Sequence, residues 1–300
     1  MKPVSLTAFY PCGVRATDAK APKPVVGDHL AERFMDERGW RVIAAMRDLV
    51  RPWNSILARH RLMDDRLREA LAAHPDLRVV IVGAGFDTRA FRLPGGRWVE
   101  VDEPAVIEYK NSILPAEGSP NPLVRVPIDF AQQSLAEVLA PYTDGARAFV
   151  IVEGVLLYLD RAQLQGTARA VRALAPTVTV LCDEMMRHFF TKAGHVTHDR
   201  LRQFGAPFQI QEVDVPATWR AEGFREVQRT SIPLAMHRFG LKTMPTLLLR
   251  TILRSIAQGY VVAEWEGAKD SAPRPLVPSW LRVRRSSTAA HTKPRRREEY

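Results

Sequence analysis

From residue 78 onward, short apolar runs alternate with segments of helical periodicity. The runs are Arg78–Val82, Arg97–Val101, Leu123–Ile128, Ala148–Val152, Val178–Cys182 and Phe224–Thr230. Between them lie Pro104–Leu114, Gln132–Leu139 and Asp160–Leu174; the last has Asp160 as an N-cap and an apolar stripe at Leu164, Ala168, Val171 and Leu174. Parallel strands need a long crossover, usually a helix, so this alternation predicts an α/β fold built on a doubly wound, mostly parallel sheet. Thr243–Ala257 predicts a buried helix and Tyr260–Trp265 a final strand. Ahead of the alternation the chain reads as helical over Asp28–Arg38, over Trp40–Leu62 with a break at Pro52, and over Asp65–Ala73. The expected organisation is a helical N-terminal cap over 1–75, a sheet domain with a late insertion over 76–280, and a tail over 281–300.

The 300 residues are 46% hydrophobic, enough to fill a sizeable core. Half of the net charge of +10 lies in the last twenty residues, where seven Arg or Lys face two Glu. That tail has no apolar periodicity and reads as a disordered, solvated terminus, which alone makes no case for a nucleic-acid partner. The two cysteines, Cys12 and Cys182, argue against a disulfide scaffold or thiolate zinc site and fit a reducing cytoplasm. We expect no signal peptide and no membrane span, since no window approaches the ~20 apolar residues a spanning helix requires.

In an open parallel sheet, ligands bind beyond the carboxyl ends of the strands. The first strand ends in VVIVGAGFDTRAFRL, where Gly83 and Gly85 permit a tight turn and close approach of a ligand. A dinucleotide fingerprint would place a third glycine or alanine where Thr88 stands. The second strand ends in Asp102, suited to accept from ribose hydroxyls. The third ends in Asp129 and Phe130, suited to an adenine amino group and ring face, and the fourth in Glu153. Asp102 and Asp129 could alternatively cap the helices that follow them. Glu153, between FVIV and VLLY, would be costly to bury unpaired. A pyrophosphate wants backbone N–H groups and few carboxylates. Three carboxylates around a glycine turn better suit a cationic, phosphate-free adenosine cofactor, S-adenosyl-L-methionine.

GAGFDTRAFRL, VEVDEPAVIEYK, PIDF and VEGVLLYLD, in that order, resemble the motif series of the leucine carboxyl methyltransferase superfamily. The likeness extends to SLTAFYPCGVRATDA and ILARHRLMDDRL and covers roughly residues 5–265. It is nearest in character to actinobacterial members, including polyketide O-methyltransferases of the tetracenomycin type. The resemblance implies a seven-stranded, Rossmann-like class I methyltransferase sheet under a helical cap, and an O-methyltransferase acting on a small-molecule acceptor. It implies cofactor contacts from Gly83, Gly85, Asp102, Asp129, Phe130 (where the family usually has Leu) and Glu153. An arginine before the first strand binds the cofactor's carboxylate in the family; Arg59 matches, with Arg61 close by, and Arg15 matches a further basic position.

No catalytic base stands out. Near the fifth strand's end, Glu184, Arg187 and His188 could serve an acceptor, or be charged loop residues. His195 and His198 have helical spacing but no companion ligands, so no metal is expected. A nicotinamide oxidoreductase is the same-fold alternative, disfavoured by Thr88 and the lack of a Tyr-X-X-X-Lys pair. A non-catalytic adenosine-binding module with a nucleic-acid-contacting tail is the other alternative.

Overall fold

A computed structural model describes residues 7–130, 132–203, 208–209 and 214–268. The basic tail at 281–300 lies outside them. The expected strands form one seven-stranded sheet: β1 (Arg78–Val82), β2 (Arg97–Asp102), β3 (Leu123–Pro127), β4 (Arg147–Val152), β5 (Thr177–Met185), β6 (Phe224–Ser231) and β7 (Tyr260–Ala268). Their order is β3-β2-β1-β4-β5-β7-β6. The first five are parallel; β7 runs antiparallel between β5 and β6. Strand order reverses between β1 and β4, so their carboxyl ends open the crevice where a ligand is expected.

The central strands β1, β4 and β5 are buried on both faces and read as nearly continuous apolar runs, whereas the edge strands β3 and β6 are partly exposed. Val80, Val82, Val180 and Cys182 pack toward α5 (Arg161–Arg172) and its neighbours. Asp160 caps α5 through a capping box with Gln163, as its sequence predicts. Val79, Ile81, Leu181 and Met185 face the other way, into a core shared with α1 (Phe9–Asp18), α2 (Glu37–Met46) and α3 (Val50–Ala73). Within that core Phe86, next to the glycine turn, stacks on Phe34 with centroids 5.2 Å apart. The cap therefore sits against the cofactor side of the sheet.

Three local expectations change. Pro52 does not break a helix: it lies in the first turn of α3, where its missing N–H would be unpaired anyway, and α3 then runs unbroken to Ala73. Asp28–Arg38 is a short 3₁₀ turn at Ala31–Phe34 followed by α2, which Asp36 caps by accepting from the Gly39 N–H. Thr243–Ala257 is no single buried helix. It splits into Thr246–Arg250 and Arg254–Gly259 around Thr251, and Leu247 and Ile252 stand 73% and 80% exposed. Both cysteines are buried free thiols. Among the described residues no helix is long and apolar enough to cross a membrane.

Candidate active site

Beyond the ends of β1, β2 and β4 lies a cavity of about 690 Å³, within the range of small-molecule sites. One wall is the glycine turn. The N–H groups of Gly83 and Ala84 both donate to the Val101 carbonyl, closing the turn onto β2. Gly83 has φ +68°, and a Cβ there would lie 2.3 Å from Val155 Cγ2. Only glycine lets the turn and the β4 loop meet this closely.

Asp102 completes that wall. Its Oδ2 accepts from the Gly85 N–H at 2.6 Å and its Oδ1 from its neighbour Glu103 N–H at 2.6 Å. Burial pushes its carboxyl up in pKa, against the pull of those two N–H groups. Each oxygen retains acceptor capacity toward the cavity it lines. Asp102 is thus a strut between the turn and β2 rather than the cap of α4 (Pro104–Ile113), whose N-cap is Glu103.

The floor is a buried ionic network. Glu153 accepts from Arg59 Nε at 3.0 Å and from Arg89 Nη2 at 2.8 Å. Arg59 Nη1 also donates to Asp183 at 2.9 Å and to the Tyr260 hydroxyl oxygen at 3.0 Å. Its Nη2 faces Gly154, 3.2 Å from where a Cβ would stand. Arg89, wholly buried, donates to Asp64 at 2.6 Å and to Asp87. Arg92 joins Asp64 at 2.9 Å, and Arg15 joins Asp28 at 2.9 Å and the Phe86 carbonyl at 2.7 Å.

His60 sits inside this network with Nδ1 3.1 Å from Glu153 and Nε2 3.0 Å from Arg92. Burial, reinforced by Arg89, lowers its pKa, against the opposing pull of the Glu153 and Asp64 carboxylates. Arg89 Nη2 lies 2.9 Å from the same Nδ1, so that nitrogen meets a donor as well as the Glu153 carboxylate, while Nε2 is placed to accept from Arg92. Burial alone would raise the Glu153 carboxyl, but His60, Arg89 and Arg59 hold it well below the usual range. Asp64 is lowered likewise by His60, Arg89 and Arg92.

Among the residues that line the cavity, three arginines (15, 51 and 59) face five carboxylates (48, 87, 102, 103 and 153). The surplus is negative. A surplus of carboxylates fits a cofactor with a net positive charge and opposes a pyrophosphate. The donor set therefore fits S-adenosyl-L-methionine.

Gly83, Gly85, Asp102, Phe130, Glu153 and Arg59 line the cavity, as do Arg15 and Asp87. Arg61 does not: it turns to Asp65 and the Val25 carbonyl. Asp129 stays behind the rim, where its Oδ2 accepts from Gln132 at 3.0 Å, and it is not part of the lining. Asp87 accepts from the backbone N–H and the guanidinium of Arg89, so it organises the helix start instead of standing free.

None of the three acceptor-side candidates reaches the cavity. Glu184 lies on the opposite face of β5, accepting from Trp265 Nε1 at 2.8 Å and from Arg229 at 2.8 Å. The His188 Nε2 bonds the Ser255 carbonyl, and Arg187 is exposed. His60, Asp64, Arg89, Asp183 and Tyr260 are the site residues that the sequence reading missed. The i, i+4 pair His60–Asp64 in RHRLMDD was one available signal.

The model of the leucine carboxyl methyltransferase family matches residues 8–172, more than half of the chain. The tetracenomycin polyketide synthesis O-methyltransferase TcmP of Streptomyces glaucescens is 30% identical over 178 residues, 57% of this chain and 62% of that protein. The match thus spans less than two thirds of TcmP. A Mycobacterium marinum protein named for S-adenosyl-L-methionine-dependent methyl transfer is 26% identical over 247 residues, 73% of this chain and 79% of its own length. In fold, a DUF574-family protein of Streptomyces avermitilis superposes with a TM-score of 0.52 at 13% identity, covering 85% of this chain and 96% of that one. The chain belongs to the leucine carboxyl methyltransferase family, whose cofactor is S-adenosyl-L-methionine.

Proposed function

We propose that this chain is an O-methyltransferase that moves the methyl group of S-adenosyl-L-methionine to a carboxylate or hydroxyl oxygen of a small, polyketide-like molecule. The observation that carries this reading is one cavity with two characters. The acid-rich floor and glycine turn continue into a lining of Leu157, Met185, Phe189, Leu201, Phe208 and Met236. The bound cofactor supplies an activated methyl on a sulfonium. Asp102 would accept from its ribose hydroxyls, Phe130 would cover its adenine, and Arg59 Nη2, beside Glu153 and Gly154, would meet its carboxylate. The network behind Arg59 fixes that guanidinium in advance, so little ordering remains to be done when the ligand arrives.

The apolar lining would hold the acceptor against the methyl and keep water from competing with it. Tyr158 lines this part, and burial pushes its phenol up to about 12. It is a hydrogen-bond donor at neutral pH and no base. An acceptor carboxylate, already ionised, needs none, which favours ester formation over the ether of an un-ionised phenol. TcmP's name supports oxygen as the receiving atom and a polyketide as the class of acceptor. The reading is tested by incubating the protein with methyl-labelled cofactor and a panel of fused-ring aromatic carboxylates and phenols. Label in a base-labile ester or an aryl ether is expected; label on nitrogen or carbon acceptors alone, or calorimetric binding of NAD in place of S-adenosyl-L-methionine, overturns it.

A further inference from the structure

An anionic acceptor meets a difficulty in this cavity, because the lining holds more carboxylates than arginines. Two of the three lining arginines are already engaged. Arg15 holds Asp28 and the Phe86 carbonyl, and Arg59 holds Glu153, Asp183 and Tyr260. Arg51 differs from both. It lines the cavity, is exposed, and among the described residues has no hydrogen bond or ion pair. Asp48, the lining carboxylate nearest to it in sequence, is held by Arg200 at 3.1 Å.

The place of Arg51 says which ligand it serves. It lies in the first turn of α3, whose cavity face carries Arg51, Ser55, Ile56 and Arg59 at the spacing of one helix side. From residue 51 to residue 59 the helix rises about 12 Å. The Arg59 end is buried in the ionic floor and the Arg51 end is open to solvent. Residues on either side of Arg51 tie that open end to the acceptor part of the cavity. Asp48 bonds Arg200, whose neighbour Leu201 belongs to the apolar lining. Asn54 Nδ2 donates to the Lys242 carbonyl at 2.9 Å, beside the lining residues Thr243 and Met244.

We propose that Arg51 determines acceptor specificity: its guanidinium binds a second, anionic group of the acceptor, a carboxylate or similar oxyanion, at the end remote from the oxygen that is methylated. This rests on the reading that the apolar part of the cavity takes the methyl acceptor. A guanidinium presents paired N–H donors to such a group, and charge-assisted hydrogen bonds are about twice as strong as neutral ones. Arg51 breaks no ion pair to make them. The class selected is an aromatic acceptor with an acidic group at its solvent-side end.

The test uses the full chain loaded with S-adenosylhomocysteine and two probes of one shape, 6-sulfo-2-naphthoate and its neutral-ended counterpart 6-sulfamoyl-2-naphthoate. Calorimetry should show that the wild type prefers the sulfonate by about fivefold or more. Arg51→Gln should lose that preference, and Arg51→Lys should keep part of it. Because Arg51 has no partner to lose, Arg51→Gln should melt with the wild type. Arg147→Gln removes the same charge from the exposed first residue of β4, at the opposite end of the sheet, and should keep the full preference. The proposal is overturned if the wild type binds the sulfonate no more tightly than the sulfonamide, or if Arg51→Gln retains the preference. It is overturned equally if Arg147→Gln loses it, as net charge alone would require. Failure of the O-methylation reading looks different: no oxygen in the labelled panel is methylated while the preference for the sulfonate and its dependence on Arg51 persist.

Discussion

Arg59 and Glu153 meet at 3.0 Å across 94 residues of chain, joining the cap helix α3 to the end of β4. Arg59 is buried, the Glu153 side chain is 10% exposed, and Glu153 is shared with the wholly buried Arg89. Breaking a buried pair by removing one charge typically costs 3–5 kcal/mol, since the other is left uncompensated. We expect Glu153→Gln to lower unfolding free energy by about 3 kcal/mol and to weaken cofactor binding at the same time. Urea unfolding followed by tryptophan fluorescence measures it; an unchanged midpoint would mean the pair adds no stability.

Asp102 offers a separable effect. It ties one backbone N–H of the glycine turn and has no ion pair. Asp102→Ala should therefore leave a folded protein whose affinity for S-adenosyl-L-methionine is lost. Affinity retained within about threefold in calorimetry, against the ~10-fold per 1.4 kcal/mol expected from lost hydrogen bonds, would remove Asp102 from the ribose.

The two glycines of the turn should differ. An alanine Cβ at position 83 would strike Val155 at 2.3 Å, but at position 85 it would meet only Ala8 Cβ at 3.4 Å. Both carry positive φ, so Gly85→Ala should cost about 1–2 kcal/mol from backbone strain alone. Gly83→Ala should cost distinctly more. Thermal melts of the two variants decide the order.

Acid should unfold the protein from a defined side. Burial would raise the carboxyls of Asp28, Asp64, Asp87 and Glu153, but neighbouring arginines and His60 hold all four below their ordinary values. Their stabilisation is complete above the unfolded carboxyl range of about pH 4 and is lost as pH falls through the lower folded values. Asp102 and Glu184, raised mainly by burial, act with the opposite sign, but they are fewer. The urea midpoint should decline gently below about pH 6.5, where the unfolded chain protonates His60 and the folded ring resists it, and fall steeply below about pH 4. A midpoint that holds or rises there would contradict the network.

His188→Ala should leave the methyl-transfer rate within about twofold, the range of a substitution away from the site. His188 bonds the Ser255 carbonyl and is no part of the lining. A loss of tenfold or more in a labelled-donor assay would return the segment after β5 to the acceptor site.

The β1–β4 framework was legible because parallel strands buried on both faces must be apolar throughout, and each ends in its own motif. Gly83, Asp102 and Glu153 were legible for the same reason, as strand-end residues. Which carboxylate of β5 faces the cavity was not. With both faces buried, hydrophobic alternation is silent, and only the register with β7 puts Asp183 toward Arg59 and Glu184 toward Trp265. Arg89 was passed over because a cation inside FDTRAFRL reads as a helix-surface residue until the carboxylates of three separate elements close around it. The split of Thr243–Ala257 around Thr251 was hidden by residue types that all favour a helix or tolerate one.

Tyr260, the first residue of β7, donates to Asp183 at 3.2 Å and bonds Arg59, 201 residues earlier in the chain. During synthesis, the glycine turn, Asp102 and Glu153 all leave the ribosome well before that partner does. A chain ending short of β7 keeps the ion pairs of Arg59 with Glu153 and Asp183 and lacks only the neutral hydroxyl that fastens the guanidinium. One phenol on the last strand thus joins completion of the sheet to the geometry of the guanidinium at the cavity floor, without altering its charge balance.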